Sequence, residues 1–399
     1  MRTITMETPM PTPAPFNFVH SNRRVVCAWD GVNRIGDLAR EHGARRPALV
    51  MDIFFKGGEV ESRVARHLQA ATGTAPACHF VPAHEPDTTT IAACAATLRA
   101  AEPDFIVVIG GGSAMDTAKV ARLLLANPGP AEAIAGFGRT CRPHASLLVA
   151  VPTTAGTGSE VSESAIASKE GADIKLIFRS PEMTPQIALL DGALSMSAPA
   201  HVTATAGYDA VTHAVEAYVS NAASIMTDPY AKCAMELLAR WLPIAYREPA
   251  HQAARTWCLV ASAQAAIAFN SANLGLAHAI SAPLGAQLHV GHGLGNALAL
   301  PAVTAYNEPL LGDKGKTIAA IFNAPSAAAA MSRLREALDL DLSLDDYVPD
   351  DAARERIAQA AMKSGQVRMN PRAATIGHMR AILEAMRTPT HGANPTLEL

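Results

Sequence analysis

Charge is scarce in this sequence. Asp, Glu, Lys and Arg make up 17% of the 399 residues, below the usual quarter, and alanine and other small apolar residues fill the gap. What charge there is nearly cancels. Lys+Arg 33 against Asp+Glu 36 leaves a formal charge of −3, which excludes nucleic-acid binding as the main business of the surface. Cysteine is scarce too: Cys27, Cys78, Cys94, Cys141, Cys233 and Cys258 lie far apart with no C-x-x-C pair. They read as reduced thiols of a cytoplasmic protein rather than as disulfides or a thiolate metal site. Long apolar runs are missing. The most apolar stretch, Trp257 to Phe269, has 13 residues and carries Ser262 and Gln264; it is too short for a membrane span and reads as a core helix. The opening MRTITMETPMPTPAP has neither an apolar h-region nor a run of arginines, so it is expected to be a Pro-rich, poorly ordered leader rather than a targeting signal.

Length and pattern carry the rest. At roughly 100–200 residues per domain the chain suggests two domains or three, and a chain this long buries about three quarters of its unfolded surface without a metal or disulfide staple. Short apolar runs alternate with amphipathic stretches in the first half. Strands are expected at Arg24–Trp29, Ala48–Asp52, Ala77–Val81, Phe105–Ile109 and Leu147–Val151. Helices are expected between them at Val32–His42, Glu59–Ala71, Thr89–Ala101 and Ala114–Ala126. That alternation means βαβ units and a mostly parallel sheet, and a run such as FIVVI suits a strand covered on both faces. After about residue 190 the pattern turns helical throughout, with helices expected at 206–220, 228–241, 253–270, 274–283, 293–306, 326–338, 351–362 and 374–386. The expected organisation is a flexible leader (1–20), an α/β domain (21–191), and an all-helical domain (192–399) ending in a loose tail from Arg387.

Three constellations carry chemistry. Gly110-Gly111-Gly112-Ser113 lies directly between the strand ending at Ile109 and the helix starting at Ala114. Glycines there let the backbone approach a ligand, and the helix start offers unpaired N–H groups to a pyrophosphate. Ser113 and Asp116 also have a plain reading as a helix-capping pair. The spacing is not the ordinary G-x-G-x-x-G, since Met115 stands at its last glycine, and the acidic ribose binder that usually follows the glycines instead precedes them. The candidate is Asp52, at the carboxyl end of its strand, which reads equally well as the start of a loop. The second constellation, Pro152-Thr153-Thr154-Ala155-Gly156-Thr157-Gly158-Ser159-Glu160, again follows a strand. Its hydroxyls and glycines make a polar cradle, and Thr157-x-x-Glu160 has the form of a capping box. Two such loops at strand ends point to one crevice for a phosphorylated cofactor.

The third constellation is helical. Asp209 and His213 are at i and i+4 and share a helix face; His278, His289 and His292 follow within 15 residues. One carboxylate and two or three imidazoles suit a divalent transition metal such as Fe²⁺ or Zn²⁺. Spacing does not choose between His289 and His292.

Taken together, GGGSAMDTAK, PTTAGTGSE, GYDAVTHAVEAYVS and GLAHAISAPLGAQLHVGHG resemble the iron-containing (group III) alcohol dehydrogenases, in family order and with matching gaps. The resemblance runs from about residue 20 to the end and includes MNPRAATIGHMRAIL. It implies the dehydroquinate synthase-like fold: a dinucleotide-binding α/β domain, an all-α metal-binding domain, and a site in the cleft between them. Carried over by position, it implies Asp209, His213, His278 and His292 as metal ligands, with His292 chosen through the family's His-Gly pair. It implies cofactor contacts from Gly110, Gly111, Gly112 and Ser113 and from Thr153, Thr154 and Thr157. It also places Lys175 near the nicotinamide ribose and Asp52 as the residue favouring NAD over NADP.

The implied reaction is reversible hydride transfer between NAD(H) and a small alcohol and its aldehyde or ketone, with the substrate oxygen on the metal as an alkoxide. The implied state is a homodimer or larger homo-oligomer. Two rivals are a reductase of the maleylacetate type, or another hydroxy-acid dehydrogenase, on the same fold and a lyase of the dehydroquinate-synthase type. One position departs from the family. Where many members carry a further histidine four residues after the third ligand, this chain has Ala282, so the proton route is expected to differ, with His289, a ribose hydroxyl or water as candidates. No catalytic acid or base is assigned.

Overall fold

The computed structural model describes Phe18, Asn22 and residues 24–136, 138–171, 175–340 and 342–387. The expected leader (apart from Phe18) and the tail beyond Arg387 lie outside the described residues.

The first half is built on six strands: β1 (Arg24–Cys27), β2 (Pro47–Asp52), β3 (Ala77–Val81), β4 (Phe105–Gly110), β5 (Leu147–Pro152) and β8 (Ile187–Leu190). They form a wholly parallel sheet in the order β1-β8-β5-β4-β2-β3. Two further strands, β6 (Ser164–Ser168) and β7 (Lys175–Arg179), make a separate antiparallel pair. The sequence reading did not include β6, β7 or β8. The first, Ser-Ala-Ile-Ala-Ser, has a single β-branched residue, and β8 has four residues; neither is long or β-branched enough to stand out from a loop.

Side chains of the central strands alternate between two cores, as a period of two requires. Ala48, Val50, Ile106, Val108, Leu148 and Ala150 pack with α3 (Thr88–Ala101) and α4 (Gly112–Ala126). Leu49, Met51, Val107, Ile109, Val149 and Val151 pack with α1 (Ile35–Glu41) and α2 (Glu59–Thr72). The crossover after β2 therefore lies on one face and the crossover after β4 on the other. Between these neighbouring strands the winding reverses, and a crevice opens outside their carboxyl ends. Asp52 and Gly110 are the last residues of those two strands.

Beyond Leu190 no strand occurs among the described residues. A single turn, α5 (Gly192–Ser195), leads into the helices α6 (Ala200–Val219), α7 (Asp228–Arg247), α8 (Gln252–Ala272), α9 (Leu276–Leu288), α10 (His292–Ile321), α11 (Ala327–Ala337), α12 (Asp351–Met362) and α13 (Ile376–Ala385). One difference concerns length. The helix expected over 293–306 continues to Ile321, with a break at Gly312 (φ 51°, ψ −128°). The expected helix over 32–42 begins as a 3₁₀ turn, Gly31–Arg34. Alanine dominates the helical core: Ala210, Ala214, Ala217, Ala261, Ala265, Ala268, Ala277 and Ala297 are all wholly buried. Small side chains bring helix axes close, which sets the spacing of anything projecting between them. A fourth apolar group, Val161, Ala188 and Leu190 against Leu259, Ala263, Ala266 and Ile267, joins the sheet to α8. The halves thus share a packed seam.

Candidate metal centre and cofactor cleft

Asp209 and His213 project from the same face of α6, His278 from the first turn of α9, and His292 from the first residue of α10. One atom from each falls into a cluster whose members all lie within 4.8 Å of one another. Asp209 Oδ1 is its hub, 3.7 Å from the Nε2 atoms of His213, His278 and His292 alike. Three equal distances of this size are too long for hydrogen bonds. They are close to the edges of a coordination tetrahedron, roughly 3.3–3.6 Å for metal–ligand bonds of about 2.0–2.2 Å. Asp209, His213 and His278 are buried, and His292 is a third exposed at its side chain. The site is open on the His292 side.

The electrostatics favour the ligating forms. Burial pushes His213 down to about 4, helped by His278 and His292 and opposed by Asp209. Burial likewise lowers His292. Burial pulls Asp209 upward, but the three histidines and an Asn296 hydrogen bond outweigh it and hold the carboxyl below its ordinary range. Three imidazole nitrogens and one carboxylate oxygen are the donor set of a borderline divalent ion such as Zn²⁺ or Fe²⁺.

A second layer of contacts fixes these groups. Glu216, one turn beyond His213, has its Oε2 2.7 Å from His278 Nδ1, so that nitrogen carries the proton and Nε2 presents its lone pair to the cluster. The same carboxylate accepts from Gly275 N (2.9 Å) and Ala277 N (2.6 Å), occupying the uncapped start of α9. Asn296, one turn beyond His292, donates to Asp209 Oδ1 at 2.6 Å. His213 is placed by packing, its ring 4.6 Å from Phe269 and 4.8 Å from His278, while its Nδ1 is buried without a hydrogen-bond partner among the described residues. Neither Glu216 nor Asn296 was read from the sequence. The available signal was helical spacing: Glu216 is i+3 from His213 and Asn296 is i+4 from His292.

His289 stands apart. It ends α9 in the left-handed conformation (φ 55°) with its side chain exposed. Ala282, where the resembled family carries a further histidine, is exposed.

The cofactor loops meet at the crevice. Helix α4 starts at Gly112, with Gly111 as its N-cap and no side-chain cap among the described residues, so its first-turn N–H groups are left available at the strand ends. This corrects the capping reading of Ser113 and Asp116. Asp116 instead accepts from Ser159 Oγ (2.6 Å) and Ile166 N (2.9 Å), tying α4 to the second loop. Close approach demands glycine here. A Cβ on Gly112 would stand 2.7 Å from Thr157 Cγ2, and one on Gly110 would stand 2.6 Å from Ala114 Cβ and 3.2 Å from Asp52 Cβ. Thr154 Oγ1 lies 3.4 Å from the corresponding point on Gly111, and Thr153, which is buried, donates its N–H to Gly110 O at 3.0 Å. Gly110, Gly111, Gly112, Ser113, Thr153, Thr154 and Thr157 are therefore brought together, with Asp52 beside them.

The second loop is held from beneath. Lys119 is wholly buried and its Nζ donates to Ser159 O (3.0 Å), Ser159 Oγ (2.9 Å), Ser162 Oγ (3.2 Å) and Ser164 O (2.5 Å). Burial lowers it to about 8, opposed by Asp116, Glu160 and Glu163, and burial raises Glu160 to about 7. No helix begins at Thr157, so the Thr157/Glu160 capping box is also corrected. Thr157 Oγ1 accepts from Ser159 N at 3.3 Å, and Glu160 is buried near Lys119. Gly156 and Gly158 press the loop onto the helical half: a Cβ on Gly156 would lie 2.9 Å from Ala206 Cβ, and Ser262 Oγ donates to Gly156 O at 3.0 Å.

Asp52 has a second task, since Oδ1 accepts from Phe54 N at 3.0 Å. Lys175 lies on the metal side of the cleft. It pairs with Glu85, its Nζ is 3.3 Å from where a Cβ on Gly285 would stand, and its charge acts on His292.

A parallel sheet with a crevice at its switch point, packed against a helical bundle carrying an Asp/His₃ cluster, sets a candidate nucleotide site beside a candidate metal site. The comparisons identify the family. The iron-containing alcohol dehydrogenase model matches residues 22–192, and the model of that family's C-terminal part matches residues 203–387. The 1,3-propanediol dehydrogenase of Klebsiella pneumoniae is 31% identical over 357 residues, 86% of this chain and 92% of its own. The NAD-dependent methanol dehydrogenase of Bacillus methanolicus is 29% identical over 364 residues, 88% of this chain and 95% of its own. Among solved structures, that of a 1,3-propanediol oxidoreductase superposes with a TM-score of 0.89 at 29% identity, covering 94% of this chain and all of the other. The chain belongs to the iron-containing alcohol dehydrogenase family. It is an oxidoreductase of alcohols and aldehydes.

Proposed function

We propose that the protein transfers a hydride reversibly between NAD(H) and a small alcohol and its aldehyde or ketone, with one divalent metal, Fe²⁺ or Zn²⁺, held by Asp209, His213, His278 and His292. The observation that carries the reading is the hub geometry of Asp209 Oδ1 among three Nε2 atoms at equal distance. When bound, the metal supplies Lewis-acid polarisation of the substrate oxygen and the nicotinamide supplies the hydride acceptor or donor.

The chain's own residues bind and orient. The first turn of α4, with Gly110 to Ser113, receives the pyrophosphate, and Thr153, Thr154 and Thr157 line the opposite side of that cradle. Asp52 accepts from the ribose hydroxyls and repels a 2′-phosphate, favouring NAD over NADP. Lys175 reaches from the metal side toward the nicotinamide ribose. Glu216 holds the proton on His278 Nδ1 and keeps Nε2 free. The packed seam between sheet and α8 sets the distance between the two sites. The domain boundary is placed at 191/192, between β8 and the helices. A cytoplasmic location is supported by six cysteines that are all free thiols. The homodimer or larger assembly rests on the family resemblance.

Steady-state NAD(H) turnover across alcohols, aldehydes, ketones and oxo-acids, with Fe²⁺, Zn²⁺ or chelator, tests the reading. Metal-dependent NADH consumption with small aldehydes or ketones is expected, with NADPH a poorer donor. Turnover confined to oxo-acids and indifferent to chelator would replace it with the maleylacetate-type reading.

A further inference from the structure

Asn296 is wholly buried on α10, one turn after His292. Its Nδ2 faces three of the four clustered atoms: 2.6 Å from Asp209 Oδ1, 3.1 Å from His278 Nε2 and 3.4 Å from His292 Nε2. Its Oδ1 is buried too and has no hydrogen-bond partner among the described residues. We propose that Asn296 is the positioning residue of the metal centre, fixing Asp209 Oδ1 as the shared vertex and thereby setting the affinity and coordination geometry of the bound ion. This rests on the metal-centre reading above.

Three observations carry it. First, Asp209 is a nearly inaccessible carboxylate (side chain 3% exposed), and the three imidazoles stand at 3.7 Å, beyond hydrogen-bond reach. Among the described residues the Asn296 amide is the hydrogen-bond donor to Asp209 Oδ1, and a buried carboxylate without a donor is free to turn. Second, the bond joins α6 to α10 at a place where the backbone is built to approach closely. A Cβ on Gly293 would lie 2.4 Å from Thr205 O, and one on Gly295 would lie 2.6 Å from Ser281 Oγ. The first turn of α10 is seated against α6 and α9, and His292 and Asn296 project from it on one face. A single side chain thus fixes the separation of two ligands that arrive on different helices. Third, the unpartnered Oδ1 is a cost, about 1–3 kcal/mol for a buried acceptor. A residue kept for packing would not carry it, and leucine fills the same space without polar atoms. What leucine lacks is the N–H pointed at Asp209.

The test uses the full chain, stripped of metal by chelator and titrated with Co²⁺, whose visible bands report coordination number and symmetry. Asn296→Ala and Asn296→Leu are compared with the parent, and Asn307→Ala serves as a control. Asn307 is also a buried amide on α10, paired with Asn370 at 2.7–2.9 Å. Both Asn296 variants are expected to melt cooperatively, to bind Co²⁺ about 10–100-fold more weakly than the parent, and to show a shifted Co²⁺ spectrum. Asn307→Ala is expected to lose thermal stability while keeping the parent's Co²⁺ affinity and spectrum. A folded Asn296 variant with the parent's affinity and spectrum would overturn the proposal. So would a leucine variant that fails to fold, because the residue would then serve the fold rather than the centre. A parent chain that takes up no Co²⁺ overturns the metal centre itself.

Discussion

His278 Nδ1 and Glu216 Oε2 stand 2.7 Å apart, both side chains buried, on two helices that meet at the metal-ligand cluster. A carboxylate has no proton to offer, so the imidazole donates. That choice of tautomer turns the Nε2 lone pair toward Asp209 and the other histidines. Because Glu216 also accepts from Gly275 N and Ala277 N, the start of α9 and the ring it carries are oriented by one group. Glu216→Ala is therefore expected to weaken Zn²⁺ or Co²⁺ binding by about 10–100-fold. It should also cost about 1–2 kcal/mol through the lost helix cap. Glu216→Gln retains an oxygen for the helix N–H groups and should recover part of the thermal stability but less of the metal affinity. Chelator competition and thermal melts separate the two losses. Equal metal affinity in all three proteins would remove Glu216 from the centre.

Asp52 ends β2 beside Gly110 and accepts from Phe54 N at 3.0 Å. Its plain role as a turn former and its proposed role toward the ribose are therefore both available to one carboxylate, since Oδ1 is used locally. Asp52→Gly removes both. The ratio of kcat/KM for NADPH to that for NADH should rise at least tenfold, on the order of 1.4 kcal/mol, while stability falls by up to about 2 kcal/mol. Asp52→Asn keeps the turn and removes the charge, so it should shift cofactor preference with little effect on Tm. An unchanged preference in both variants would leave Asp52 with the turn alone.

The residues that were legible in the sequence are those that announce themselves by type and period. FIVVI reads as a strand buried on both faces because every position is apolar, and β4 is so buried. Asp209 and His213 read as a pair because i and i+4 share a helical face. The choice between His289 and His292 was not legible from spacing, because it depends on where α9 stops. His289 ends that helix in a left-handed turn toward solvent, whereas His292 starts the next one facing inward. Ser113 and Asp116 were legible as a pattern but misleading as caps. The helix begins two residues earlier than the pattern suggests, and a tertiary partner, Ser159, takes the Asp116 carboxylate. Glu216 and Asn296 act on ligands through hydrogen bonds, and such partners carry no motif of their own. Strand β6 was invisible for another reason: its stability comes from pairing Ala165 with Phe178 over a buried face, not from local propensity.

Glu160 and Lys119 bury opposite charges under the second cofactor loop, and their shifts predict a pH dependence. Burial raises Glu160 from 4.5 to about 7. Between those values the folded protein holds a proton that the unfolded chain has released, so stability falls as pH rises through that window. Glutamine at this position mimics the protonated form. The Tm difference between Glu160→Gln and the parent should therefore become more positive from pH 5 to pH 8, by an amount on the order of a few degrees. Lys119, lowered to about 8, is charged in both proteins over most of that range and retains Asp116 and Glu163 as counter-charges. The comparison isolates Glu160 because every other titratable side chain is the same in both proteins. A Tm difference that stays flat between pH 5 and pH 8 would show that the Glu160 carboxyl is not held protonated by the fold.

Gly112 and Thr157 bring the two cofactor loops into contact, and their geometry predicts a rescue. A Cβ at residue 112 would stand 2.7 Å from Thr157 Cγ2 but 3.4 Å from Oγ1 and 3.5 Å from Cβ. The obstacle is thus one methyl group. Gly112→Ala pushes the Thr157 loop away from the start of α4, and the N–H groups of the first helical turn no longer face the same ligand as the threonine hydroxyls. NADH affinity, read by fluorescence titration, is expected to fall by at least about tenfold, since a displacement of roughly 1 Å can cost on the order of a hundredfold at a positioned site. Metal binding, on the other side of the cleft, should not change. Thr157→Ser deletes the obstructing methyl and keeps the hydroxyl. By itself it should be nearly silent, and combined with Gly112→Ala it should restore most of the NADH affinity. The coupling between the two changes should be positive and exceed about 1 kcal/mol, as for residues in direct contact. If the double variant binds NADH as poorly as Gly112→Ala alone, the loss arises from the helix start itself, and the two loops do not act as one cradle.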